Sequence, residues 1–267
     1  MKRIILLTFF LLSTVIGFAQ QESAEVKLKS TGIWAGLYLK VRFSNKLGYY
    51  GEHHYRGQNK IDDVNSFVGR PSKLYNRFGL NYYVNKNFEI VVGPALIYRF
   101  DPTTDDPTTE PTLEPRIWTQ FLFKSKPIGR VKLVHQFRFE QRWKRSNEIG
   151  SDYKFTNRYR YKFFAYIPLG ASRQIKAKTW FFSPSAEIFM QSGKSIVYNP
   201  FEDFRTYNGF GYVVNNNLTF FAGHMWTIGQ ESTGYQYGTS HVFRFNVYIG
   251  IDARKTSDKL PKINLGY

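Results

Sequence analysis

The sequence predicts an all-β chain closed into a single antiparallel transmembrane β-barrel of about twelve strands. Three observations predict it. Apolar and polar side chains alternate with a period of two along most of the chain, the alternating segments mostly run to ten or more residues, and the connections switch between tight turns and long polar loops. A period of two places successive side chains on opposite faces of a strand. Strands of that length exceed the five or six residues usual in soluble sheets and match the ~9 to 11 tilted residues that cross a membrane.

The first clear strand is Ile33-Trp34-Ala35-Gly36-Leu37-Tyr38-Leu39-Lys40-Val41-Arg42-Phe43, whose odd positions are apolar while Lys40 and Arg42 fall on the even face. Phe88 to Phe100 repeats the pattern, with Phe88, Ile90, Val92, Leu96 and Tyr98 opposite Glu89, Gly93 and Arg99. Arg130 to Arg145 is the clearest, with Val131, Leu133, Phe137, Phe139 and Trp143 opposing Arg130, Lys132, Gln136, Arg138, Glu140, Arg142 and Lys144. Further segments lie near 47–56, 74–84, 114–124, 156–167, 180–191, 204–214, 218–228 and 240–252, which makes eleven in all. A closed antiparallel barrel needs an even number, so Ala24 to Lys29 is expected to add a short twelfth strand. Ten is the fallback if one segment is not a strand.

Tight turns are read at Ser44-Asn45-Lys46, Asn85-Lys86-Asn87, Lys126-Pro127-Ile128-Gly129 and Asn215-Asn216-Asn217, and long loops at 57–73, 101–113, 146–155, 192–203 and 229–239. Short periplasmic turns and long extracellular loops are the habit of outer-membrane barrels. The connection from Pro168 to Thr179 is longer than the other short-side turns, and nothing in the sequence accounts for it. Aromatic residues gather where strands meet turns, at Phe43, Tyr49, Tyr50, Tyr82, Tyr83, Phe88, Trp180, Phe181, Tyr212, Phe220 and Phe221, and are expected to form a girdle at head-group level.

The ends and the composition agree. Met1-Lys2-Arg3, an apolar run from Ile4 to Phe18 and small residues before Gln20 read as a cleaved signal peptide, residues 1–19, leaving 20–267 as the barrel. No second long apolar run follows and the mean hydropathy is negative, which excludes a helical membrane protein. A barrel spans lipid with alternate residues, so it is polar on average and still integral. There is no Cys, so no disulfide supports the exported chain. Loss of Lys2 and Arg3 with the signal takes the formal charge from +17 to 17 − 2 = +15. So basic a chain favours acidic partners. Export makes nucleic acid the least expected of these and leaves outer-membrane lipids, lipopolysaccharide and small anionic solutes.

Gly32-Ile33-Trp34, Glu114-Pro115-Arg116-Ile117-Trp118 and His135-Gln136-Phe137-Arg138-Phe139-Glu140-Gln141-Arg142-Trp143 together resemble the exported bacterial barrel family known only as domain of unknown function 2490. The resemblance covers most of the mature chain and implies a barrel of unknown activity, with no catalytic residues to carry over; the location expected from the strands and the signal peptide is the outer membrane of a Gram-negative bacterium.

Few constellations point to chemistry. His53, His54, His135, His224 and His241 form no metal-spaced cluster, and no Ser stands two positions from any of them, as a strand-borne Ser–His pair requires. Thr239 with His241 is the nearest match. The histidines are therefore expected to lie near lipid head groups, with no catalytic, cofactor or metal site. Asp101 to Pro111 carries acidic oxygens but lacks the glycine and the ligand spacing of a calcium loop, and reads as a solvated extracellular loop.

The polar face of the strands is the informative feature. It carries Lys40, Arg42, Arg56, Arg77, Arg99, Arg116, Lys124, Arg130, Lys132, Arg138, Arg142, Lys144, Arg158, Arg160, Lys162, Arg205 and Arg244 against Glu52, Glu89, Glu114, Glu140, Glu187 and Asp252. Arg116, Arg130, Lys132, Arg138, Arg142, Arg158, Arg160 and Lys162 are expected to form a basic wall in the lumen. The functional expectation is a non-enzymatic outer-membrane barrel, either a small anion-favouring pore or a structural or binding barrel with a basic interior. The alternatives are a barrel-borne enzyme acting on lipid or lipopolysaccharide, and a soluble periplasmic β-sandwich.

Overall fold

Every alternating segment becomes a strand, and the hydrogen-bond ladder returns to its starting strand. The computed structural model describes residues 26–100, 107–171, 174–231 and 233–255. Residues 1–19, where a signal peptide is expected, Ala24 and the first six residues of the Asp101 to Pro111 loop lie outside the described residues. The strands are β1 (Lys27–Arg42), β2 (Leu47–Gln58), β3 (Arg70–Asn85), β4 (Phe88–Arg99), β5 (Thr112–Lys124), β6 (Lys132–Lys144), β7 (Lys154–Pro168), β8 (Thr179–Ser192), β9 (Phe201–Val213), β10 (Leu218–Gln230) and β11 (Tyr237–Asp252). They form one closed barrel in sequence order.

Among the described residues the count is eleven, where twelve was expected. Lys27 to Lys29 adds no twelfth strand but lengthens β1, with a register shift between Leu28 and Ser30. The even-number rule fails because the seam is not antiparallel: β1 and β11 run parallel, from Lys27 opposite Gly238 to Arg42 opposite Asp252. The remaining neighbours pair antiparallel. One parallel pair lets an odd number of strands close without leaving an open edge.

The stagger is large. Following paired residues around the wall from Arg42 through Gly48, Asn81, Val91, Gln120, Arg138, Arg160, Phe189, Asp203, Gly229 and Gly238 returns to β1 at Lys27, 42 − 27 = 15 positions away. Such a stagger requires strongly tilted strands. The connections at 43–46, 86–87 and 214–217 sit on one rim, together with the longer 125–131 and 169–178, and those at 59–69, 100–111, 145–153, 193–200 and 231–236 sit on the other.

The two faces differ as the alternation demands. Leu37, Leu80, Val92, Leu96, Ile117, Phe137, Phe139, Phe210, Phe243 and Phe245 point outward and are exposed. The inward residues near the short-turn rim, among them Tyr50, Leu122, Val134, Phe164, Phe181, Phe221 and Tyr248, pack into an apolar core. This corrects part of the aromatic girdle. Phe43, Tyr82, Trp180 and Phe220 are exposed, whereas Tyr50, Phe181 and Phe221 are interior residues. Parity decides the difference, since neighbours such as Trp180 and Phe181 must point to opposite faces.

An eleven-strand lumen is wide enough to need large side chains to fill it, and glycines make room for them. Gly79 and Gly93 lie inside the wall on β3 and β4, where a Cβ on Gly93 would come within 2.1 Å of the Phe78 carbonyl oxygen. The Trp118 indole lies beside them, and its Nε1 donates to the carbonyls of Phe78 and Pro94, both at 3.2 Å.

Candidate functional site

The alternation on β6 and β7 stacks Arg138, Glu140 and Arg142 beside Arg160, Arg158 and Thr156 in register. Arg138 directly opposes Arg160, and Arg116 on β5 opposes Arg142. Like charges directly opposite repel. Glu140, 1% exposed, offsets that repulsion by accepting from four guanidiniums. Arg116 Nη1 reaches it at 2.7 Å, Arg77 Nη2 and Arg160 Nη1 at 3.1 Å, and Arg158 Nη1 at 3.3 Å.

Glu52 on β2 is the second hub. It accepts from Arg77 Nη1 and from Arg138 Nη2, each at 3.1 Å. Arg160 closes a fork on Glu187 through Nε at 2.9 Å and Nη2 at 2.6 Å, and Gln120 takes Arg138 Nε at 3.0 Å. Nearer the short-turn rim, Glu89 holds Lys40 at 2.9 Å and also Lys124. These contacts join residues on opposite walls, so the network spans the lumen. Buried ion pairs are stable when hydrogen bonds satisfy the remaining lone pairs, as the shared carboxylates do here.

Of the expected basic wall, Arg116, Arg138 and Arg142 are buried inside the barrel, and Arg158, Arg160 and Lys162 are half-buried there. Lys132 is the first residue of β6, at the short-turn rim. Arg130 is not in the lumen. It lies in the turn before β6, closed by the Ile128–Val131 bridge and by Gly129 at φ +60, and its Nη1 donates to the carbonyls of Pro168 (3.4 Å) and Gly170 (3.3 Å) in the long short-side connection. The chain is still turning there, so alternation does not extend to it.

Sequence reading missed two acids. Asp203 faces inward beside Arg205, and Glu202 accepts from Arg142 Nη1 at 2.9 Å and from Arg158 Nε at 2.6 Å. The register of β8 with β9 shifts between Phe189 and Met190, whose partners are Asp203 and Phe201, so Glu202 is the extra residue of a bulge. A bulge re-aims a side chain and lets neighbours share a face. Parity alone would have found Asp203 but not Glu202.

The network leaves a chamber of about 50 Å³ between Tyr38, Tyr50, Glu52, His54, Gln136, Glu187, Tyr207 and Tyr248 and the cations Arg56, Arg77, Arg138, Arg160, Lys162, Arg205 and Arg244. The guanidinium of Arg56 stacks on Trp34 at 3.7 Å and on Tyr75 at 4.0 Å, and those of Arg244 and Arg205 lie 5.6 and 5.7 Å from the same Trp34 ring. Among the described residues Arg56, Lys162 and Arg244 have no carboxylate within 4.0 Å.

A family model described as a protein of unknown function, DUF2490, matches residues 31–238, which include every residue of the carboxylate–cation network above but not Arg244 and Tyr248 of the chamber. The chain belongs to the DUF2490 family. The network of this DUF2490 member is therefore built within the span that defines the family, since Glu52, Arg77, Arg138, Glu140, Arg160 and Glu187 all fall inside it. Comparison with curated proteins finds no match. Among solved structures the chain is similar to the porin NanC in a rhombohedral crystal form, at 7% identity and a TM-score of 0.46, over 79% of this chain and 90% of that one.

The histidines of the DUF2490 barrel divide between the faces. His54 is buried inside, 3.6 Å from Glu52. His53 bonds Asn76 at 2.9 Å, His135 bonds Tyr161 Oη at 2.8 Å, and His224 bonds His241 at 3.0 Å, all on the outer face. His241 thus pairs with another histidine and not with Thr239, whose hydroxyl meets the Lys27 carbonyl at 3.4 Å.

Proposed function

We propose that this protein is a non-enzymatic bacterial outer-membrane β-barrel that acts as a structural or binding element with a basic, closed interior. The observation that carries the reading is the inversion of the two faces. The outward side of a closed sheet is an apolar belt, and the inward side is an ion-pair network that joins opposite walls. Soluble monomers rarely expose contiguous apolar patches beyond a few hundred Å². A bilayer demands the reverse, an apolar exterior on a wall whose backbone groups are all paired, which closure supplies.

In this reading the short-turn rim is periplasmic, the long-loop rim is extracellular, and a cleaved signal directs export. Outer-membrane lipids and lipopolysaccharide surround the belt, and small anionic solutes are the class the interior attracts. Fractionation tests the location: the protein should remain with outer membranes through carbonate extraction, and recovery in the soluble periplasm would end the reading. Planar bilayers test the closure, and the folded protein should carry no steady current.

A second reading, the small anion-favouring pore, is favoured by the interior cations that have no carboxylate within 4.0 Å among the described residues, Arg56, Lys162 and Arg244. Steady conductance preferring chloride over potassium would select it. Turnover of phospholipid or lipopolysaccharide by the purified protein would select instead the enzyme that the closed-barrel reading excludes.

A further inference from the structure

We propose that the interior chamber beside Trp34 is a binding site for one small oxyanion of the phosphate or sulfate class. The inference rests on the closed-barrel reading and gives that barrel a ligand. Three of the seven cations lining the chamber, Arg56, Lys162 and Arg244, have no carboxylate within 4.0 Å among the described residues, and the two carboxylates that also line it, Glu52 and Glu187, are held by Arg77, Arg138 and Arg160. Arg56 is 8% exposed, so its charge cannot be solvated by bulk water. Uncompensated buried charge is costly, and proteins normally retain it only against a partner of opposite sign.

Donors point the same way. Arg56 Nε, Arg244 Nε and the hydroxyl of Tyr50, itself fully buried, are buried without a hydrogen-bond partner among the described residues. Buried donors are nearly always paired, with protein, ordered water or a bound ion, and here they sit among residues that carry excess positive charge. The residues that line the chamber therefore combine an excess of cations with donors that have no partner among the described residues, which suits an acceptor-only guest. Guanidinium forks match the paired oxygens of an oxyanion, whereas a halide uses one contact at a time.

Size limits the guest. A water needs roughly 10–15 Å³ of such space, so about 50 Å³ holds a few waters or one five-atom oxyanion but no sugar or nucleotide. Entry follows from the location, since an ion enclosed by the network is loaded during folding or through slow opening of the barrel.

The test uses the full mature barrel, refolded in detergent with inorganic phosphate, sulfate or chloride at matched ionic strength. Equilibrium dialysis should find one phosphate per folded barrel, and the unfolding midpoint should rise in phosphate or sulfate relative to chloride. Arg244→Gln combined with Lys162→Gln should weaken phosphate binding by about tenfold or more. In chloride the same variant should unfold at the wild-type temperature or above, because two unpaired cations are gone. Arg244→Lys, which keeps the charge but loses the fork, should bind with an intermediate affinity. If the Gln variant does not fold, the wild-type and Lys arms decide.

A closed wild-type barrel that binds neither phosphate nor sulfate, or that is stabilised equally by chloride, overturns the site alone. Steady current through the same preparation overturns the closed-barrel reading instead.

Discussion

Arg138 on β6 crosses the lumen to Glu52 on β2, with Nη2 and Oε2 3.1 Å apart and three strands of wall between them. The pair is a strut between opposite walls. Glu52 also holds Arg77, which reaches on to Glu140, so a cut at one carboxylate unloads several guanidiniums at once.

Glu140→Gln should therefore be severe. It leaves Arg77, Arg116, Arg158 and Arg160 without their shared counter-charge. Breaking a buried pair by removing one partner costs about 3–5 kcal/mol. The urea midpoint of the refolded barrel should fall accordingly, while Glu110→Gln, which removes an exposed rim partner of Arg145, should leave it unchanged. Equal midpoints for the two variants would show that the interior pairs carry no stability.

The sign of a substitution at Phe137 separates the two environments proposed for the outer face. Phe137 is 39% exposed and points outward. In a bilayer, Phe137→Arg should cost roughly 2–4 kcal/mol near the midplane, whereas Phe137→Leu should be tolerated. In water an exposed Phe→Arg change is neutral or favourable. Assembly yield in lipid vesicles reads the difference, and normal yield from the Arg variant would count against a lipid-facing belt.

The parallel seam can be trapped directly, because the chain has no cysteine of its own. Leu37 on β1 faces Val247 on β11. Leu37→Cys with Val247→Cys should form a disulfide on oxidation, since paired positions lie within the 4.4–6.8 Å Cα separation such bonds need. Leu37→Cys with Phe243→Cys should not. A twelfth strand between β1 and β11, or a shifted register, would reverse or abolish this pattern on a non-reducing gel.

Gly93→Ala should disturb the wall where Trp118 is seated. The added Cβ would press on the Phe78 carbonyl oxygen, which accepts from Trp118 Nε1. Backbone cannot yield there as a flexible side chain can, so a lower unfolding midpoint and a shifted Trp118 fluorescence are expected. Unchanged emission from a fully stable variant would show that the contact is not confining.

Much of this arrangement is legible from alternation alone. The eleven strands, the inward set from Arg56 to Arg244 and the outward set around Phe137 follow from a period of two, because a strand has only two faces and a slip of one residue exchanges them. Where the period breaks, so does the reading: Arg130 sits in a turn, and Glu202 is re-aimed by a bulge.

The sequence by itself determined long strands with an apolar and a basic face, since those properties live in neighbouring residues. Only the tertiary structure decided that the seam is parallel, that Glu52 meets Arg138 across the lumen and that Arg56, Lys162 and Arg244 converge on one chamber. Glu52 and Arg138 are 86 residues apart, and what joins them is the stagger of eleven strands, a sum over every register in the wall that no local pattern encodes.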